Sequence, residues 1–224
     1  MNSVHDVASE SGSLFTRIPM FPEPVDGDVG TESFLSAADG IKSFVHLLGP
    51  TLFSPVTSDM RGNVDKVTGI LVRDKEKYKF LSGIIGEEKD VTGFRLGTDA
   101  LLWLSRALDF ISLFLTLWIQ DYESDQKSED LTVYFKNAYE LTLKKYHNWL
   151  VQKVVFVVLS GTPSRQQLLL TLFSRDEEAA GQDLVSDKEE KLLFQQISEH
   201  VRRLQTNIQC LRSLFDAAAF DWKV

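Results

Sequence analysis

Apolar side chains recur every three or four residues along most of this chain, the rhythm of amphipathic helices. Residues 1 to about 30 break that rhythm. Ser, Gly, Pro and acids dominate there, so a poorly ordered arm is expected, with Phe15, Ile18 and Phe21 available to dock on the body. From Thr31, "TESFLSAADGIKSFVHLLG" has helical spacing and stops at Gly49-Pro50. Pro55 opens a helix that runs through "DMRGNVDKV" to about Val72, and "KEKYKFLSGIIGEEKD" predicts a short one. Thr98 is the expected cap of the long apolar helix containing "LLWLSRALDFISLFLTLWI". Next, "LTVYFKNAYELTLKKYHNWLVQKVVFVVLSG" reads as one long, kinked helix ending at Gly161, with Pro163 two residues on. A shorter helix covers "SRQQLLLTLF", a loop surrounds Gly181, and "KLLFQQISEHVRRLQTNIQCLRSLFDAAA" forms the last helix. No internal repeat and no alternating strand pattern is visible. The prediction is an all-α domain over residues 31–224 behind an arm of residues 1–30.

Composition narrows what such a domain does. With 224 residues, 43% hydrophobic and 25% charged, the chain can bury one sizeable core. A formal charge of −8 argues against nucleic acid, which demands a basic surface, and against a broad electrostatic hold on an anionic membrane. Any membrane contact is expected to be local and apolar. Cys210 is the single cysteine, which rules out an internal disulfide and fits a reducing compartment. Met1–Glu10 lacks the basic and apolar regions of a secretory signal. The most apolar helix carries Arg106 and Asp109, so it is read as buried in protein rather than in lipid. The expected location is cytoplasmic.

Candidate chemistry is sparse. His5 lies in the arm, and His46, His147 and His200 sit on separate segments without a metal-binding spacing. No nucleophile elbow or phosphate loop occurs, and Cys210 lies on a core-like stripe. The chain is expected to be neither an enzyme nor a holder of metal or cofactor. One row does stand out. Asp59, Asn63 and Lys66 lie at i, i+4 and i+7, which presents an acceptor, an amide and a cation on one helix face. Such a row suits a polyhydroxylated ligand, and it also describes an ordinary solvated face. On a continuous helix His147 would share a face with Leu143 and Leu150, and Trp149 would point about 200° away from it.

The stretches "LGPTLFSPVTSDMRGNVDKV", "ALLWLSRALDF", "AYELTLKKYHNWLVQK" and the terminal "WKV" agree together, in order and spacing, with one known family. From about Phe34 to Val224 the chain resembles the glycolipid transfer proteins. The resemblance implies a two-layer helical sandwich of about eight helices with an apolar tunnel between the layers. It also implies a monomeric, non-enzymatic carrier of glycosphingolipids (glucosyl-, galactosyl- and lactosylceramide) that touches membranes transiently. By the same resemblance, Asp59 would accept from the ceramide amide and a sugar hydroxyl, and Asn63 and Lys66 would bond the first sugar. Trp103 would stack beneath that sugar, and His147 would donate to the amide oxygen. Phe44, Leu52, Phe53, Val56, Phe110, Phe114, Leu143, Val155, Val158 and Leu159 would line the tunnel. Trp149, Tyr146 and Lys145 would touch the membrane.

Trp103 stands where ceramide-1-phosphate carriers are expected to have a cation, and Asp99, one turn earlier, adds negative charge. Both favour an uncharged sugar. Trp222 replaces a common tyrosine, which keeps stacking and loses a phenolic bond. Val45-His46 replaces the Phe-Asp pair of members that bind an endoplasmic-reticulum tether. Alternatives to a carrier of neutral glycolipid are a sphingolipid sensor or a carrier of ceramide-1-phosphate.

Overall fold

The computed structural model describes residues 12–174 and 185–221, so Trp222 lies outside the described residues. Among them are nine α-helices, one 3-10 turn and two isolated bridges, with no strand. The helices are α1 (Leu14–Arg17), α2 (Thr31–Leu47), α3 (Ser54–Leu71), α4 (Leu81–Glu87) and α5 (Leu96–Glu123). They continue as α6 (Thr132–Thr142), α7 (Trp149–Ser160), α8 (Arg165–Leu172) and α9 (Asp187–Ala217). α5 packs on α3, α6 and α9, α3 packs on α2, and α7 packs on α6, which builds the two-layer helical sandwich. α5 is long and apolar enough to cross a membrane by composition, yet most of it is buried in protein. Its Asp109 accepts from Arg212 Nη2 of α9 at 2.7 Å.

Helix ends follow local chemistry. Ser164 and Ser186 open α8 and α9 with capping boxes closed by Gln167 and Glu189. Thr98 does not cap α5, because Glu88 reaches in first. Its carboxylate accepts from Gly97 N at 2.9 Å and Thr98 N at 2.7 Å, and Thr98 is left buried inside the helix. Asp121 of α5 ties three segments together. It accepts from Tyr134 of α6 and Ser128 at 2.6 Å each, and it faces Arg165 of α8, which pairs with Glu190 of α9. Those charges are nearly dry, so losing one partner would leave another buried and unmatched.

The arm expected to be poorly ordered is, from residue 12 onward, packed on the body. Phe15, Phe21 and Val29 are buried. Asn207 of α9 donates to Pro22 O at 2.8 Å, and Arg203 pairs with Glu23 at 2.8 Å. Phe15 sets its ring edge-on to His200 at 5.3 Å, and His200 Nε2 donates to Phe15 O at 2.9 Å. Three well-spaced apolar residues and α9's side-chain donors suffice to hold a segment of polar composition.

The long helix expected over residues 131–161 is broken. α6 stops at Thr142, a 3-10 turn covers Lys144–Tyr146, and His147 is extended at φ −101°, ψ 134°. Asn148 then caps α7 by accepting from Leu150 N at 3.1 Å and Val151 N at 3.0 Å. The shared helical face assumed for Leu143, His147 and Leu150 therefore does not exist. Asn148 is a strong cap in the middle of an apolar-periodic run, and that local preference wins.

Burial holds His200 neutral, pushing its pKa below the ordinary value against the opposing pull of the Phe15 carbonyl and Glu199. A depressed folded pKa stabilises the fold above about 6.5, and that stability drains as pH falls through the folded value. Urea midpoints should therefore drop between pH 7.5 and pH 5.5, and His200→Gln, which keeps a donor for Phe15 O, should flatten that slope.

Candidate functional site

α3 and α5 open a cleft of about 570 Å³ lined by Asp59, Asn63, Lys66, Phe94, Asp99, Ala100 and Trp103. The α3 row is preassembled. Asn63 Nδ2 donates to Asp59 Oδ2 at 3.3 Å, and Lys66 Nζ donates to Asn63 Oδ1 at 3.3 Å. Asn63 is buried, so its amide orientation is set by both neighbours, whereas Asp59 and Lys66 open to the cleft. Desolvation raises the Asp59 pKa above its ordinary value, while Lys66, His147 and the Asn63 bond pull it down. The effect is modest while water fills the cleft and grows when a ligand covers it.

From α5, Asp99 turns back to accept from Arg95 N at 3.0 Å, so one carboxylate oxygen steadies the helix start. One turn on, the Trp103 indole is 36% exposed. The Arg106 guanidinium, itself buried, sits 4.8 Å from the indole centre and 3.5 Å from the Tyr146 ring. Tyr146 meets Trp103 edge-on at 6.5 Å. Tyr146, expected at a membrane surface, is thus half-buried and committed to the wall beside Trp103. Lys145 and Trp149 stay exposed, Trp149 at 67%.

His147 enters from the broken segment. Its ring lies nearly parallel to the Trp103 indole, 6.5 Å between centres and 13° between planes. Gln152 clamps the loop by donating to Lys144 O at 3.0 Å and His147 O at 2.8 Å. Burial and Arg106 lower the His147 pKa and Asp59 raises it, with burial dominant, so the ring is neutral at neutral pH. Tyr139 OH lies 3.0 Å from Nδ1, and burial holds that phenol protonated by raising its pKa. A phenol donating to Nδ1 puts the ring proton on Nε2.

Behind the cleft, Phe44, Phe53, Phe110, Phe114 and Leu159 are buried, and Leu52, Val56, Leu143, Val155 and Val158 pack half-buried on the same core. Phe135, which periodicity did not single out, sits at their centre. It stacks on Phe114 at 3.6 Å and touches Phe53 and Phe110 at 6.3 and 6.4 Å. The rings fill this interior. Phe94, 71% exposed on the cleft rim, was also missed, because a lone aromatic in a loop has no periodicity to mark it.

Comparison with known proteins bears on this arrangement. The family model described as "Glycolipid transfer protein (GLTP)" matches residues 29–174. The chain belongs to the glycolipid transfer protein family. Glycolipid transfer protein A of Xenopus laevis is 34% identical over 164 residues, 71% of this chain and 78% of that protein. A solved structure of FAPP2, described as selecting simple glycosphingolipids with the GLTP-fold, superposes with a TM-score of 0.76 at 27% identity. It covers 96% of each chain. Mouse ceramide-1-phosphate transfer protein shares the fold, with a TM-score of 0.70, 19% identity and coverage of 92% and 94%. The family match ends before α9, whose contacts hold the arm.

Because Asp59 is ionised against a desolvation penalty, Asp59→Asn should leave the melting temperature unchanged or raised at pH 7. The same variant should lower glycosylceramide binding by about tenfold or more, the loss of a charged hydrogen bond of roughly 1.5–3 kcal/mol. Calorimetry and a lipid-binding fluorescence assay measure the two sides.

Proposed function

We propose that this protein carries neutral glycosphingolipids between membranes, holding the sugar in the α3–α5 cleft and the ceramide chains in the apolar interior. The observation that carries this reading is that Asp59 and Trp103 line one cleft from two helices while His147, from a third segment, lies parallel to the Trp103 ring. Asp59 accepts from the ceramide amide N–H and a sugar hydroxyl, and His147 Nε2 donates to the amide oxygen. Asn63 and Lys66 satisfy the first sugar. Trp103, held from one side by Arg106, offers its remaining aromatic surface to the C–H face of a pyranose. Two carboxylates against one lysine in the lining favour a neutral sugar over a phosphate. Each hydroxyl left unpaired in a drying cleft costs about 1–3 kcal/mol, so headgroup bonds set selectivity. Chain burial contributes about 0.8 kcal/mol per CH₂, but the bilayer supplies the same, so it permits transfer without directing it.

Entry for the chains follows from α7. Gln152, Val155 and Leu159 face inward, whereas Leu150, Val154 and Val157 form an outward stripe at i, i+4 and i+7. Of the whole helix only Leu159 is buried, so little core contact is lost when α7 shifts. Its outward stripe, with Trp149 at the N-terminal end under Lys153 at 4.9 Å, is an apolar surface suited to a bilayer. Docking there loosens the wall over the Phe114–Phe135 stack, and the chains follow the headgroup in. The protein acts as a monomer in the cytoplasm and does no chemistry on its cargo.

Vesicle-to-vesicle transfer of glucosylceramide tests the reading. Transfer at protein amounts far below lipid supports a carrier, while tight binding without turnover points to a sensor. Trp149→Ala should slow transfer about tenfold, from lost burial of roughly 1–2 kcal/mol, and leave binding of a short-chain soluble glycolipid unchanged. Equal loss in both assays would sink the separation of docking from headgroup binding.

A further inference from the structure

α3 carries a second working face. Thr57 and Arg61 lie at i and i+4 on it, and Arg61 is two residues, about 200° of helix, from both Asp59 and Asn63. That face meets Lys42, Ser43, His46 and Leu47 of α2, with Leu14 and Arg17 of α1 and Ser174 after α8, around a cleft of about 410 Å³. Among the described residues every charged side chain in its lining is a cation: Arg17, Lys42 and Arg61, with His46 beside them. In a chain of net charge −8, three such groups converging without a carboxylate among the described lining residues is the reverse of what composition predicts.

The cations are partly pre-set. Arg17 Nη2 donates to Ser174 Oγ at 3.0 Å, and Lys42 is braced by Asp39 one turn back. Arg61 is exposed and makes no ion pair among the described residues. Ser43, Thr57 and Ser174 line the same cleft. Two guanidinium forks and an ammonium around one hollow match the spread oxygens of a phosphate, which accepts bidentately from arginine.

We infer that this α1–α2–α3 cleft binds the phosphorylated headgroup of an anionic phospholipid in the membrane on which the protein docks. The same chemistry would take a soluble phosphate ester, but position assigns the lipid. Leu47 and Thr57 flank the α2–α3 turn, and Leu52 in that turn packs against Gly161 at the end of α7. The cationic cleft and the exposed apolar stripe of α7 are therefore joined by one short segment. An acidic protein repelled by an anionic bilayer gains a local electrostatic foothold there, beside its apolar one. This inference rests on α7 as the docking element and is independent of which sphingolipid is carried.

The test is flotation of the full chain with phosphatidylcholine vesicles, with and without 10 mol% phosphatidic acid (about one lipid in ten). Wild type should float better with phosphatidic acid. Lys42→Glu/Arg61→Glu should lose that gain by about tenfold or more, on the order of fivefold per cation. It should still float on, and transfer glucosylceramide between, pure phosphatidylcholine vesicles as wild type does. Lys188→Glu, exposed on α9, matches part of the charge change and should keep the gain. An equal gain in wild type and the double variant overturns the inference. So does tight calorimetric binding of glycerol 3-phosphate without any gain on the anionic vesicles, which would assign the cleft to a soluble anion. Absence of transfer by wild type on neutral vesicles would count against the carrier reading and leave the flotation result standing by itself.

Discussion

The arrangement depends on a break in the chain between Thr142 and Trp149. A continuous helix there would send His147 along one stripe and Trp149 along another, both fixed by helical pitch. Instead the backbone extends at His147, Gln152 clamps the carbonyls it frees, and Asn148 restarts the helix. One local event thereby does two things. It places an imidazole alongside Trp103, and it starts α7, on which Leu150, Val154 and Val157 stay exposed to solvent. A helix apolar on both sides is normally enclosed by its own protein; this one is left with an unmatched face.

α5 is the counterpart of that exposed edge. It is buried for most of its length, tied by Asp121 to the Arg165–Glu190 pair, and anchored at its start by Glu88 and Asp99. Trp103 and Arg106 therefore project from a fixed bar. The cleft is walled by α5 and α3, and the clamped loop that carries His147 lies against Trp103. Rigid groups suit discrimination between headgroups, because their hydrogen-bond directions are set before the ligand arrives.

α3 serves both sides of the molecule. The Asp59–Asn63–Lys66 row looks into the α3–α5 cleft, and the Thr57–Arg61 pair looks into the cationic one. Mixed polarity on a helix is usually solvation alone; here each polar stripe closes a concave surface with a different neighbour. The arm contributes to the second hollow through Leu14 and Arg17, which gives a structural use to a segment whose composition reads as disordered.

Periodicity alone determined that the chain is helical, where α2, α3, α5, α8 and α9 lie, and that α5 is interior, because burial and spacing are properties of one segment at a time. The joint pattern around Asp59, Trp103 and His147 pointed to the family, since several spaced motifs carry more information than any single row. Packing decided the rest. Asn148 breaks the run over residues 131–161 by its own capping preference, but whether Glu88 or Thr98 closes α5, and whether Phe15 finds a pocket, depend on partners outside the segment concerned. Arg106 against Tyr146, Phe135 within the stack and the cations gathered around Arg61 were invisible for the same reason. Spacing within one segment carries no information on such choices, because the contacts that make them join different segments.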